Sequence, residues 1–136
     1  MRKSIAFTLC LLLVSALIPS TLSANVTPLA YLEMVEELLY GQAQEGALLE
    51  RIEKVEIDIY GEPQEGAVVM RIDRVLTFLQ DQDGDGGLWL LLNLAEWGFS
   101  ATLSGEKPMV ERLRGLELVL YGVEQSGNIS QRAAKL

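Results

Sequence analysis

The chain has 136 residues, of which 49% are hydrophobic and 22% are charged, a balance that is typical of one folded domain and excludes a wholly disordered chain. Its formal net charge of −8 disfavours nucleic acid and anionic membrane surfaces as partners. It contains no histidine and a single cysteine, Cys10, which excludes histidine-based triads and zinc sites of the usual kind. The 19 acidic residues leave a carboxylate-based hydrolase as a distant alternative, but no carboxylate pair has a distinctive context, so we do not expect an enzyme.

The first 24 residues have the layout of a secretory signal peptide. Arg2 and Lys3 form a basic start, residues 5–18 form an apolar run, and residues 19–24 are mostly small and polar. Because the run is shorter than the roughly 20 apolar residues of a spanning helix, we expect cleavage after Ala24 and no transmembrane span in the mature chain. The expected location is periplasmic, at the cell surface or secreted. Cleavage also removes the single cysteine, so no disulfide is expected.

The rest of the chain, residues 25–136, repeats a helical unit of twenty residues that ends in Tyr-Gly. Residues 39–47 return as residues 59–67, and a further copy ends after Tyr121. We count about six units, of which the last is unfinished. Residues 88–100 form a degenerate unit that keeps the spacing but has lost its arginine and gained two tryptophans.

One unit has the pattern of a helix followed by a turn. Apolar residues spaced by four, three and four positions form one stripe along an α-helix. In one unit these residues are Leu48, Ile52, Val55 and Ile59. The glycine after the tyrosine suits a helix end, because glycine adopts the left-handed conformation without a Cβ clash. The predicted fold is all-α, an array or bundle of about six short antiparallel helices.

An arginine recurs at one position of the unit, and a glutamate recurs five positions later. The arginines are Arg51, Arg71, Arg112 and Arg132, and the glutamates are Glu56, Glu96 and Glu117. Exposed helix positions normally vary between copies, so we interpret the arginines as donors of ion pairs or hydrogen bonds between units. A row of arginines that binds a ligand is the alternative.

Residues 81–87 form an acidic, glycine-rich turn that matches the opening half of a calcium loop. Asp81, Asp83 and Asp85 alternate along it, and a glycine takes the sixth position. The twelfth position is Leu92, where a calcium loop requires a bidentate glutamate. The turn is therefore either a weak calcium site or a solvated connection, and no other cofactor is expected.

Residues 88–100 are apolar on nearly every side of a helix. Such a helix is usually fully buried, so our first interpretation is the central helix of the bundle. The alternative is a partner-binding or membrane-seeking face. The candidates for partner contact are Trp89 and Trp97 in this segment, and Arg132 in the unfinished last unit, which we expect to dock on another chain.

The recurring signature reads Arg-Ile, Val-Glu and Tyr-Gly at residues 51–52, 55–56 and 60–61, and Arg-Leu, Leu-Glu and Tyr-Gly at residues 112–113, 116–117 and 121–122. It resembles tandem repeats of uncharacterised exported bacterial proteins, and this resemblance implies export and repetition. The sequence thus predicts an exported, non-catalytic repeat protein that acts as a structural or protein-interaction module of the cell envelope, with a protein partner or self-association. The alternative function is weak calcium binding through Asp81–Asp85.

Overall fold

The computed structural model describes residues 27–80, 86–100 and 103–136. These residues form six α-helices, and they contain no β-strand. The helices are α1 (Pro28–Tyr40), α2 (Leu48–Tyr60), α3 (Val68–Gln80), α4 (Gly87–Ser100), α5 (Met109–Tyr121) and α6 (Ile129–Ala133). The predicted all-α bundle is confirmed. The predicted signal peptide, residues 1–24, lies outside the described residues.

Three of the helices end at the glycine that follows a tyrosine. These glycines have left-handed φ angles of 80°, 92° and 73°, and each donates its N–H to the carbonyl oxygen four residues earlier. They are Gly41, Gly61 and Gly122, and their acceptors are Glu37, Ile57 and Leu118. Any residue with a Cβ would be strained at these angles, which explains why the signature ends in Tyr-Gly.

Two of the helix starts are fixed by side chains that accept the first backbone N–H groups. The Thr27 hydroxyl accepts from the N–H of Ala30 at 3.3 Å, and proline follows it at the first helical position. At α6 the Asn128 side chain accepts from the N–H of Gln131 at 2.9 Å, and the Gln131 side chain accepts from the N–H of Asn128 at 3.3 Å. This reciprocal pair is a capping box.

The core is one apolar cluster, to which the stripe of every helix contributes. Its buried residues are Leu32, Val35 and Leu39 of α1; Ile52, Val55 and Ile59 of α2; Ile72, Val75, Leu76 and Leu79 of α3; Leu88 and Leu92 of α4; Met109, Leu113 and Leu116 of α5; and Ile129 and Ala133 of α6. Neighbours along the chain pack together, and α1 also packs against α3 and α5. Burial of these stripes is the main stabilising term, because single helices of this length are marginal in water.

Each of the last two helices packs against the helix that lies four helices before it in the chain. α5 packs against α1, and α6 packs against α2. A Cβ built on Gly41 would lie 2.7 Å from Cγ of Pro108 at the start of α5, and one built on Gly61 would lie 2.9 Å from Nδ2 of Asn128 at the start of α6. The start of each later helix therefore lies directly against the turn that ends the earlier one.

α4 lies at the edge of the bundle, where it packs against α3 and α5. Its Leu88 side chain is buried, but Trp89, Leu90, Leu94 and Trp97 are 47%, 37%, 61% and 62% exposed. We term these four exposed residues the α4 face. The prediction that this helix is buried on all sides is wrong, because α3 and α5 cover only one side of it.

Candidate functional site

Four buried ion pairs each join a helix to the next one along the chain. In every pair the arginine donates Nε to one carboxylate oxygen and Nη2 to the other, over distances of 2.6–3.0 Å. The pairs are Glu36–Arg51, Glu56–Arg71, Glu96–Arg112 and Glu117–Arg132, and no side chain among them is more than 10% exposed. We term them the Arg–Glu series. The predicted ion pairs between units are confirmed.

The acceptor of the first pair, Glu36, was not among the predicted acceptors. Its unit carries Tyr31 at the arginine position, so the arginine and glutamate do not occur together there. The signal that identifies Glu36 is its position four residues before Tyr40, the same spacing that separates Glu56 from Tyr60.

Each carboxylate of the series also accepts a backbone N–H from the turn after its own helix, eight residues later. The donors are Gln44, Gln64, Ser104 and Gln125, at 2.8, 2.9, 2.8 and 3.2 Å. A buried carboxylate is costly unless its oxygens are well paired, and these hydrogen bonds supply that pairing. In the described part of the chain every buried side-chain nitrogen and oxygen has a partner. The glutamate thus fixes its own turn and the following helix together.

The tyrosine of the Tyr-Gly signature forms a second link to the following helix. The Tyr40 hydroxyl donates to Oδ2 of Asp58 at 2.6 Å, and the Tyr60 hydroxyl donates to the carbonyl oxygen of Arg74 at 3.3 Å. The Tyr60 ring also packs edge-on against Phe78, with ring centroids 5.9 Å apart. Burial is the main cause of a raised pKa for both tyrosines, and the hydrogen bond to Asp58 adds to it at Tyr40. Both hydroxyls therefore stay protonated at neutral pH.

One junction lacks the ion pair, because both of its partners are replaced by leucine. Leu76 of α3 stands twenty residues after Glu56, and Leu91 of α4 stands twenty residues after Arg71. Leu76 is 7% exposed and belongs to the core, and Leu91 is partly buried against it. At the α3–α4 junction, two leucines thus occupy the positions at which the other junctions have a buried ion pair.

The pKa shifts of five members of the series, Glu96, Glu117, Arg51, Arg71 and Arg132, favour their ionised forms. Burial raises the pKa of Glu117, but the hydrogen bonds from Arg132 and from the N–H of Gln125 outweigh it, so the pKa lies below its ordinary value. The pKa of Glu96 is lowered in the same way, against the effect of burial, by Arg112 and by the N–H of Ser104. Hydrogen bonds to glutamate are the main cause of the raised pKa of Arg51, Arg71 and Arg132.

Stability is expected to fall in acid because of Glu96 and Glu117. A carboxyl whose pKa is lower in the folded state contributes stability above its unfolded pKa and loses it as pH falls through the folded pKa. The free energy of unfolding should therefore be level above about pH 5 and decline below the ordinary value of 4.5. Urea denaturation as a function of pH measures this decline.

The control for this pH dependence is the exposed Glu111, which pairs with Lys107 at the surface. Glu117→Gln should flatten the acid decline, whereas Glu111→Gln should leave it nearly unchanged, because exposed pairs contribute little. Equal slopes in the two variants would contradict the assignment of the decline to the buried carboxylates.

Two of the four residues of the α4 face are apolar at positions where α2 is charged. Leu90 and Leu94 stand forty residues after Glu50 and Lys54, which are exposed on α2. The only charged residue of α4 is Glu96, which is buried in the Arg–Glu series. The fold therefore does not require apolar residues at positions 90 and 94, whereas the positions of Trp89 and Trp97 are also apolar and exposed in α2, as Leu49 and Ile57.

The residues predicted for partner contact lie in two different environments. Trp89 and Trp97 are both exposed on the α4 face. Arg132 is 9% exposed, and its guanidinium donates to Glu117 and, at 3.2 Å, to Glu124. The structure therefore uses Arg132 for a contact within the chain, and it does not bring this residue together with the two tryptophans.

Asp81, Asp83 and Asp85 lie outside the described residues, so calcium binding stays a prediction. Within residues 27–80, 86–100 and 103–136, no cluster of three or more side chains has the composition and spacing to hold a metal ion. The helices of these residues are also too short or too polar to cross a membrane.

A cleft of about 600 Å³ lies where α6 stacks on α2, and its polar groups are already engaged. Tyr40 and Asp58 in its wall bind each other, Asn128 caps α6, and Arg132 belongs to the Arg–Glu series. This cleft is therefore a seam between packed helices and offers no set of convergent free groups for a ligand.

The chain matches no protein-family model, no curated protein and no solved structure. Its own geometry defines its class: the described residues form a small all-helical bundle, in which buried ion pairs join successive helices at every junction except α3–α4. The α4 face is the candidate functional site.

Proposed function

We propose that the protein is an exported, non-catalytic helical repeat protein of the cell envelope that acts as a protein-interaction module, with the α4 face as its contact surface. The observation that carries this proposal is the exposure of Trp89, Leu90, Leu94 and Trp97 on one side of α4. Contiguous exposed apolar residues of this kind mark sites of protein contact, and tryptophan is enriched among the residues that dominate binding energy.

The rest of the bundle supports this role by holding α4 in place. Glu96 of α4 is bound by Arg112 of α5 and by the N–H of Ser104, and the side chains of Leu88 and Leu92 are buried in the core. A contact surface on a rigid element loses less conformational freedom on binding than a mobile segment does. The layout of residues 1–24 supports export.

Leu94→Lys tests the contact surface without disturbing the fold. Its exposed position corresponds to Lys54 of α2, so the fold already accepts lysine there, and we expect stability to change by no more than about 0.5 kcal/mol. In living cells of the source, chemical cross-linking should join the wild-type protein to a protein of the cell envelope, either another protein or a second copy of the chain, and should fail for this variant. Melting curves verify that the variant is folded.

The matched control is Leu49→Lys on α2. Leu49 is also an exposed apolar residue, 49% exposed, and it holds the position on α2 that Trp89 holds on α4. This variant should keep the cross-linked complexes. If Leu94→Lys keeps them as well, the α4 face is not the contact surface and the proposal fails.

A further inference from the structure

We infer that the α4 face binds the α4 face of a second copy of this chain, which gives a weak symmetric dimer. The inference rests on the proposed role of the α4 face as a contact surface and adds the identity of the partner. Three properties of the face support it: its charge, the order of its residues along the helix, and its area.

The absence of charge on the α4 face permits contact between two acidic chains. The chain has a net charge of −8, so two copies repel each other at most surfaces. On α4 the only charged side chain is Glu96, which is buried and neutralised by Arg112. A partner selected by charge would need opposite charges on the contact surface, and the α4 face offers none. Two α4 faces meet without placing like charges opposite each other.

The residues of the α4 face are arranged so that the face is complementary to itself. Trp89 and Trp97 are eight residues apart, about 12 Å along the helix axis, and Leu94 lies between them. In an antiparallel contact about a two-fold axis near Leu94, the Trp89 end of one helix lies against the Trp97 end of the other. Both tryptophans of each copy are then covered, and Leu94 packs close to its own counterpart.

The area of the α4 face fits a reversible dimer. Tryptophan side chains bury roughly 150–250 Å² when fully covered, and leucine side chains bury less, so the exposed fractions of the four residues correspond to on the order of 400 Å² per copy. A dimer would then bury on the order of 800 Å² in total, which is below the standard size of stable interfaces and within the range of weak ones. The dimer should therefore dissociate on dilution.

Sedimentation and tryptophan fluorescence test the dimer together. The two tryptophans of the chain both lie on the α4 face, so their emission reports directly on the contact. As the full chain, purified after expression in its source, is concentrated from about 10 μM to about 1 mM, the sedimentation coefficient should rise and the emission should shift to shorter wavelength. Leu94→Lys should weaken the dimer by roughly tenfold or more, because it buries an unpaired charge, and Leu49→Lys should not.

Cross-linking through an introduced cysteine tests the symmetry. With Cys10→Ser, Leu94→Cys leaves one cysteine near the expected two-fold axis, and oxidation should give a covalent dimer. Leu49→Cys in the same background should stay monomeric. A covalent dimer of the Leu49 variant alone would overturn the α4 contact in favour of a contact through α2.

A monomer at every concentration overturns the inference, and a blue shift on adding phosphatidylcholine vesicles to that monomer would assign the α4 face to lipid. If the protein is monomeric but Leu94→Lys still abolishes cross-links to envelope proteins, the proposed function stands with a different partner. If the protein is monomeric and the variant keeps those cross-links, both the inference and the proposed function fail.

Discussion

Replacing Glu56 with alanine is expected to lower the free energy of unfolding by about 3–5 kcal/mol, because the change leaves a buried charge without its partner. Glu56 is fully buried and accepts two hydrogen bonds from Arg71 and one from the N–H of Gln64. Its removal leaves the guanidinium of Arg71, which is 6% exposed, with no carboxylate and frees the turn that Gln64 belongs to. Urea denaturation measures the loss.

The double variant separates the cost of an unpaired charge from the value of the pair. Arg71→Ala alone should destabilise by a similar amount, because it strands Glu56. Glu56→Ala with Arg71→Ala removes both charges, so the double variant should be more stable than the two single losses predict by about 1–3 kcal/mol. Lys107→Ala, which breaks a surface pair between side chains that are both more than half exposed, should cost less than about 1 kcal/mol.

If Glu56→Ala and Lys107→Ala destabilise the protein equally, the Arg–Glu series is not a structural element. The alternative prediction from the sequence, a row of arginines that binds a ligand, would then regain support. The observed geometry argues against that alternative, since Nε and Nη2 of each arginine already donate hydrogen bonds to a carboxylate.

The parts of the fold that depend on local interactions could be predicted from the sequence. The end of α2 at Gly61 follows from the backbone freedom of glycine, and the burial of Ile52 and Val55 follows from helical spacing. The recurrence of Arg71 signalled a structural partner, because a position constrained in several copies must meet the same environment in each. The glutamate partner in the preceding helix was among the predicted acceptors for three of the four arginines, and Glu36, the partner of Arg51, was missed.

Which side of α4 faces solvent depends on its packing against other helices, and these contacts join residues that are distant in the sequence. Its composition is apolar on nearly all sides, so periodicity alone did not show which side would face α3 and α5. The position of Leu94 within the unit carried the missing signal, since its counterpart in α2 is Lys54. Lysine rarely lies in a core, and this comparison between units identifies Leu94 as an outward position. For α4, the position of a residue within the repeat unit was a better guide to its exposure than the apolar composition of the helix.

The stacking of α5 on α1 could not be predicted from the unit either. The twenty-residue pattern describes one helix and one turn, whereas the contact between Gly41 and Pro108 joins units that are four apart. Nothing in a single unit determines how far the chain must wind before it meets itself, because that distance depends on the accumulated angles between successive helices.

A second large effect on stability is expected at the α3–α4 junction, when charges are introduced there instead of removed. Leu76→Glu should destabilise the protein by about 3–5 kcal/mol, since it buries an unpaired carboxylate in the core. Leu91→Arg should cost less, about 1–2 kcal/mol, because the side chain is only partly buried and a long arginine can reach water. Together the two substitutions place glutamate and arginine at the positions that Glu56 and Arg71 hold one junction earlier.

The double variant Leu76→Glu with Leu91→Arg should recover about 2 kcal/mol or more relative to the sum of the single losses, as measured by urea denaturation. If Leu76→Glu alone does not fold, a folded double variant is itself evidence of this recovery in stability. The matched control combines Leu76→Glu with Leu90→Arg, in which the arginine lies one residue away on the α4 face and points to solvent. Recovery in the control, or none in the matched pair, would contradict the shared register of the junctions. Recovery in the matched pair alone would show that backbone geometry, rather than the identity of the side chains, determines where a pair can form, because well-packed apolar residues and a buried ion pair are often interchangeable in stability.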